Sequence, residues 1–302
     1  MLDLEWLAAL WQRHQEEFDK EISPLSIGSE GLRIGAGPRL MGVVNLSPQS
    51  WYRESVCLSP EAAIQRAKLL HTQGADVIDI GGESTLGHAE RVSPEDQIKM
   101  LRSIVAPLIG EGLTLSVETY SATVAAAVLQ EGAQVINMTG TSECERIYQL
   151  AAEANAAVIV SYVQGPHVRE VESLTFSGDP YRAFHEYFKK EINRATQRGL
   201  EKVILDPGLG FYYKNLSDGN ARVRYQMETF VQSFRLNSLG KPICHALPHA
   251  FEFFGEEVRT AESFFAVLAA LGKTHLLRTH EIPRVKAVID TLQCFTSSSS
   301  AR

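Results

Sequence analysis

The chain has 302 residues, 44% of them hydrophobic, with 22 Gly and a formal net charge of −7, the make-up of a globular chain of one or two domains. Its acidic balance and lack of a basic patch argue against a nucleic-acid partner, and no apolar run approaches the ~18 residues of a membrane span. The acidic, amphipathic N-terminus is unlike a signal peptide. The scattered cysteines Cys57, Cys144, Cys244 and Cys294 form no CxxC and suit a reducing compartment, so a cytoplasmic protein is expected.

Residues 2 to 20 set Leu4, Leu7, Trp11 and Phe18 at helical spacing among charged residues. This predicts an amphipathic helix that either packs beneath the main fold or meets a partner; Trp6 and Trp11 read as packing. From Arg39 onward strand and helix alternate. Leu40 to Val44 reads as a strand, and Ser59 caps a helix over Pro60 to His71 with Pro at its first position. Asp76 to Ile80 is the next strand, and Ser93-Pro94-Glu95-Asp96 opens a helix to Ile109 in the manner of a capping box. Strands over Leu113 to Val117, Val135 to Met138 and Ala157 to Tyr162 alternate with helices over Ala122 to Gln130, Glu143 to Ala154 and Tyr181 to Arg198. Val203 to Leu205, Pro242 to His245 and His275 to Leu277 are the last strands. Helices follow them near Ala221 to Leu236, Thr260 to Leu271 and Pro283 to Leu292. Eight βα units in about 260 residues fit an α/β fold of the (β/α)8 TIM-barrel type, whereas a doubly wound open sheet rarely needs eight. The chain then divides into a helical lead-in over residues 1 to 38, the barrel over 39 to 295 and a low-complexity, disordered tail over 296 to 302.

In a barrel of this kind the C-terminal strand ends share one face, so polar residues there converge on one pocket. The candidates are Asn45, Glu83-Ser84-Thr85, Glu118, Asn137, Ser161 with Gln164, Asp206, His245 to His249, and Arg278 with His280. Loops are polar in any protein, so no single member decides the matter. Asn45 and Asn137, however, interrupt apolar stretches, where an amide must find partners. Asp206-Pro207-Gly208-Leu209-Gly210-Phe211 puts a carboxylate at a strand end under a sharp turn. Other residues carry less. His167 reads as a turn residue, His88-Ala89-Glu90-Arg91 as a polar loop and Cys244 as a small buried hydrophobe. Pro248 disfavours the helix that a His245/His249 metal pair would need.

These stretches resemble the motifs of the dihydropteroate synthase family. Gly42-Val-Val-Asn45-Leu-Ser-Pro48-Gln-Ser50 is similar to its Asn-x-Thr-Pro-Asp-Ser, and Asp79-Ile-Gly-Gly-Glu-Ser-Thr85 to its second motif. Ser116-Val-Glu118-Thr119-Tyr120 resembles Ser-x-Asp-Thr, and Ile136-Asn137 resembles Ile-Asn-Asp. Asp206 to Phe211 matches Asp-Pro-Gly-x-Gly-Phe, and Arg278-Thr-His280-Glu281 resembles Arg-x-His-Asp. The matches keep family order from about residue 39 to 295.

The resemblance implies a pterin-binding barrel of folate biosynthesis. Its reaction condenses 6-hydroxymethyl-7,8-dihydropterin diphosphate with p-aminobenzoate, or another amine, and releases diphosphate. It further implies Asp206 as the pterin anchor with Asn137, Glu118 and His249 around the ring, Arg278, His280 and Thr85 on the diphosphate, Asn45 on Mg²⁺, and a homodimer. No protein nucleophile is required, because positioning and leaving-group stabilisation suffice. A carboxylate accepting from two adjacent N–H donors suits the pterin edge.

Departures from the family pattern cluster. Leu247-Pro248-His249 stands where the family has Ser-Arg-Lys, which exchanges a permanent cation for an imidazole. Met138 replaces an Asp, Ser161-Tyr162 replaces Met-His, and Glu118 is one methylene longer than the family's Asp. Leu86-Gly87 and Trp51-Tyr52-Arg53-Glu54 replace the family's loops on the amine side. Tyr212-Tyr213-Lys214 carries one extra residue, and Lys214 is a candidate to restore charge. A non-catalytic pterin-binding paralogue, acting as a binding or assembly partner, is therefore the alternative reading. A pterin-dependent methyltransferase would have no use for Arg278 and His280 as diphosphate ligands.

Overall fold

Two short helices, α1 (Leu4–Arg13) and α2 (Gln15–Asp19), and an antiparallel hairpin of β1 (Leu25–Ile27) and β2 (Leu32–Ile34) precede the strand–helix units. The computed structural model describes residues 2–28, 31–50, 52–87, 89–170, 173–176, 178–211 and 213–299. Trp51, His88, Tyr212, the Lys214 side chain and residues 300–302 of the tail lie outside the described residues.

The first four units pair β3 (Arg39–Asn45) with α3 (Pro60–Thr72), β4 (Val77–Gly81) with α4 (Pro94–Gly110), β5 (Leu115–Thr119) with α5 (Ala122–Gln130), and β6 (Val135–Met138) with α6 (Cys144–Glu153). Next come β7 (Ala157–Ser161) with α7 (Pro180–Gln197) and β8 (Val203–Asp206) with α8 (Gly219–Gln232). Strand β9 (Cys244–Ala246) leads to α9 (Phe251–Phe254) and α10 (Val258–Leu271), and β10 (Leu276–Thr279) to α11 (Ile282–Ser299). The helices begin where the side chains allow it. Ser59, Ser93, Ser121, Asp179 and Asp218 each accept a first-turn N–H, and Pro fills the first position of α3, α4 and α7.

The parallel strands run in the order β8-β7-β6-β5-β4-β3-β10-β9. One bridge, Leu205 to Ile243, closes the seam between β8 and the approach to β9, with Leu205 N donating to Pro242 O at 2.8 Å. The sheet is thereby a (β/α)8 barrel. Residue 242 stays outside β9, which starts two residues later than its apolar run suggests. Helix α8 ends at Gln232 and tightens into a 3₁₀ segment, Ser233–Leu239, where the sequence predicts α-helix to Leu236.

Side chains alternate across each strand. Met41, Val77, Val135, Ala157, Ile159, Ile204, Cys244 and Leu276 form an apolar cluster with Ile27 and Ile34 of the hairpin. The hairpin thus plugs the N-terminal end of the barrel, the role expected of the N-terminal helix. That helix breaks at His14, whose φ of −127° leaves the helical range, and only Leu10 of α1 is buried. Phe18 does pack, edge-on to Phe234 at 5.2 Å and under Lys273 at 3.8 Å. Trp6 and Trp11 do not pack as expected; they are 37% and 41% exposed, and α1 meets the body through buried Leu10 and partly buried Leu7 instead.

Outside the sheet, Tyr148, Phe184, Phe188, Phe230 and Phe265 are fully buried between helices and strands. Helices α8 and α10 approach so closely that a Cβ on Gly272 would lie 1.8 Å from the Phe230 carbonyl oxygen. Gly272→Ala is therefore expected to cost about 3 kcal/mol in urea unfolding. Gly110→Ala, where nothing lies within 4 Å, should be neutral or stabilising by about 0.5–1 kcal/mol. Equal effects would show that this close approach imposes no constraint.

Candidate active site at the barrel mouth

Two residues beyond the apolar plug, the inward positions turn polar: Asp79 follows Val77, Asn137 follows Val135, Ser161 follows Ile159, Asp206 follows Ile204 and Arg278 follows Leu276. Asp79 is 0% exposed and accepts from Ser116 Oγ at 2.7 Å, Asn137 Nδ2 at 3.0 Å and Arg278 Nε at 2.8 Å. Arg278 Nη2 donates to Glu118 Oε2 at 2.7 Å. Asp206 accepts from Gly208 N at 2.8 Å and Ser161 Oγ at 3.3 Å. Only glycine suits position 208, where φ is +80° and a Cβ would meet the Tyr162 carbonyl at 2.7 Å.

Three carboxylates thus surround one guanidinium. Burial pushes Glu118 up to about 7 against the pull of Arg278, with Asp79 and Asp206 adding repulsion. Burial likewise lifts Asp206 to about 6 against its Gly208 N–H and Arg278. Burial works against the charge on Arg278, but Asp79 and Glu118 outweigh it and hold the guanidinium protonated.

Over this floor opens a cavity of about 430 Å³ whose lining includes Asn45, Thr85, Glu118, Arg278, His249 and His280, with Tyr52, Phe211 and Phe251. Asp79, Asn137 and Asp206 lie in the floor and do not themselves line it. Asn45 Nδ2 donates to Ser50 Oγ at 2.8 Å and Ser55 Oγ at 2.6 Å. Ser55 Oγ in turn donates to Tyr52 O at 2.6 Å, which orients the amide and leaves Oδ1 as the atom beside Gly81. A Cβ there would stand 3.3 Å from Oδ1. One cradled amide oxygen fits a hard cation that takes its other oxygens from water and a phosphate.

A second cluster forms the opposite wall. The rings of Tyr52 and His280 stack at 4.5 Å, and those of Tyr52 and His249 at 5.0 Å. Tyr52 Oη donates to Glu281. His249 Nε2 lies 3.2 Å from Glu262 Oε1. Glu262 is 0% exposed on α10. The imidazoles and the Thr279 hydroxyl overcome its burial and hold its carboxyl below the usual range. Burial pushes His280 down to about 3, leaving it neutral.

These contacts regroup the residues singled out in the sequence. Glu118 and Asn137 do meet, through Asp79 and Arg278. His249, expected with them around one ring, faces Glu262 of α10, a buried carboxylate not among the residues singled out in the sequence. Arg278, expected at the diphosphate with His280, gives two donors to carboxylates, while His280 stacks on Tyr52. His245 turns away from the mouth into the outer core, with Nε2 2.6 Å from Ser233 Oγ. Ser161 reaches Asp206, whereas Gln164 caps Tyr162 Oη at 2.7 Å.

Arg169 was missed altogether. It is 9% exposed and donates to Ser84 O and Ala89 O, with Glu83 Oε1 at 3.2 Å, tying the loop after β4 to the loop after β7. Tyr120 joins this brace through Glu83 at 2.6 Å and stacks on His167 at 4.4 Å. His167 is thus a packed ring as well as a turn residue.

Residues 41–247 match the family model described as pterin binding enzyme. The chain belongs to the pterin-binding enzymes. Among its relatives are dihydropteroate synthases: it is 32% identical to that of Synechocystis sp. over 192 residues, covering 62% of this chain and 66% of the relative. With the Escherichia coli dihydropteroate synthase it shares 27% over 276 residues, 88% of this chain and 93% of the relative. The fold matches the Xanthomonas albilineans dihydropteroate synthase solved with 4-aminobenzoic acid, at a TM-score of 0.76 and 24% identity over 91% of this chain and 99% of that one. The Burkholderia cenocepacia enzyme complexed with 7,8-dihydropteroate gives a TM-score of 0.75 at 22% identity, over 93% and 99% of the two chains.

In this pterin-binding enzyme both raised carboxyls bind protons on folding. Their contribution to stability is full below their unfolded values and is lost as pH rises through about 6 for Asp206 and about 7 for Glu118. The melting temperature is therefore expected to fall between pH 5 and 8, and Glu118→Gln should flatten the fall above pH 6. Each kcal/mol corresponds to about 2–4 °C in chains of this order, so calorimetry across the range resolves it. Parallel curves for the two proteins would show that Glu118 is not proton-linked to folding.

Proposed function

We propose that the barrel condenses a dihydropterin-methyl diphosphate with p-aminobenzoate or a related aryl amine, releasing diphosphate, as a cytoplasmic, Mg²⁺-dependent homodimer. What supports this reading is the floor of Asp206, Glu118, Asn137 and Arg278 at the strand ends of a pterin-binding fold. A planar ring with adjacent N–H donors answers a site rich in buried carboxylate oxygens, and Asp206, in the floor beneath the cavity, is the anchor in this reading. Glu118 and Asn137 complete the ring's contacts, and Asn137 Oδ1 is a buried acceptor without a partner. Thr85, Arg278 and His280, all in the cavity lining, serve the diphosphate. Asn45 Oδ1 would hold the magnesium ion, which neutralises charge on the leaving group when bound.

The bond from the methylene carbon to oxygen breaks with its electron pair leaving on the diphosphate. The amine nitrogen forms the new bond to carbon and gives up a proton. The protein holds the ring, excludes water and aligns the amine along Phe211 and Phe251. A second reading, pterin binding without turnover, is favoured by one observation: Arg278 already gives two donors to carboxylates.

The deciding assay supplies the dihydropterin diphosphate and Mg²⁺ with and without p-aminobenzoate. Diphosphate release stimulated by the amine is expected; pterin binding with no release would establish the second reading instead. Asp206→Asn should weaken free-pterin binding about 10–100-fold. Arg278→Lys, which keeps a cation but loses the two-pronged geometry, should spare free-pterin binding and slow diphosphate release. Equal loss of pterin binding from both would overturn the assignment of the two ends.

A further inference from the structure

We propose that His249, Glu262 and His280 form a binding site for a divalent transition-metal ion of the zinc type on the cavity wall, separate from the hard-cation oxygen of Asn45. One candidate ligand atom from each of the three lies within 4.8 Å of the others. His249 Nε2 and Glu262 Oε1 are already 3.2 Å apart, close to the ~3.3–3.5 Å between ligands on a tetrahedral ion with bonds of about 2.0–2.2 Å. His280 carries a buried nitrogen, Nδ1, with no hydrogen-bond partner, and buried His249 Nε2 has Glu262 Oε1 beside it. An unpartnered ring nitrogen beside a fully buried carboxylate is a costly arrangement, and a cation bound among these groups removes the cost.

The surroundings hold the ligands in place. Glu262 Oε2 accepts from the Thr279 hydroxyl, His280 N at 3.0 Å and Glu281 N at 3.2 Å, while Oε1, which also shares His280 N at 3.3 Å, lies toward His249. Tyr52 stacks on both imidazoles and is itself fixed by Glu281. Two imidazoles and one carboxylate suit zinc, iron or cobalt, whereas magnesium prefers a shell of oxygens. Three protein ligands leave a fourth position, and because His249 and His280 line the cavity, that position faces it and takes water or an anionic oxygen. The inference stands whether or not the synthase reading holds.

The test uses the full chain, stripped with a chelator and titrated with Zn²⁺ by calorimetry and with Co²⁺ by visible absorption. One equivalent of Zn²⁺ should bind at micromolar affinity or tighter, and Co²⁺ should give the intense bands of a tetrahedral site. His249→Gln, at the cavity wall, should weaken Zn²⁺ binding at least about 100-fold, and His280→Gln likewise, with circular dichroism confirming that each variant is folded. His71→Gln, on the exposed side of α3, should leave Zn²⁺ affinity unchanged. If the wild-type chain takes up no Zn²⁺ at millimolar concentration, the cluster is a histidine–glutamate ion pair and the proposal fails. It fails equally if His249→Gln binds as tightly as wild type, since the ion is then held elsewhere.

Discussion

Arg278 reaches from β10 into the barrel interior to Asp79 on β4 and Glu118 on β5, and the polar half of that interior depends on this reach. A carboxylate as buried as Asp79 is tolerated only with a paired charge and further donors, which Arg278, Ser116 and Asn137 supply. Burial raises the proton affinities of Glu118 and Asp206, and the single cation does not fully offset it, with neighbouring carboxylates adding to the rise. A floor short of donors is primed to receive them from a ligand. Below it the β1–β2 hairpin keeps the barrel dry, so the electrostatics above are weakly screened.

The barrel was legible because its signals are local. Apolar runs of strand length, Ser and Asp caps and Pro at helix starts act within a few residues. The hairpin was not: its strands are three residues long, too short to show a period of two, and Ile27 and Ile34 acquire their role only from the barrel they enter. Trp6 and Trp11 misled for the converse reason. A helical stripe predicts a buried face, but where the helix docks decides that Leu7 and Leu10, and not the tryptophans, reach the body.

At the site, the strand-end residues could be read from the sequence, and their partners could not. Arg278 is 199 residues from Asp79 and 160 from Glu118, and no local pattern couples them. Glu262 lies within a helix correctly expected over Thr260 to Leu271, yet nothing in the sequence announces that it is buried. His249 is placed by its neighbour Ala250, which adopts the left-handed conformation at φ +45°, a state rare for alanine. Arg169 likewise follows a loop whose brace exists only once β4 and β7 stand in the same barrel.

The two clusters of the mouth stand on either side of the barrel's thinnest joint. Asp206 ends β8 and His249 follows β9, and among the described residues these neighbours are joined by one bridge where every other pair shares a ladder. The carboxylate floor and the imidazole wall thus stand on the two strands with the fewest backbone hydrogen bonds between them, so separating them breaks less of the ladder than parting any other pair.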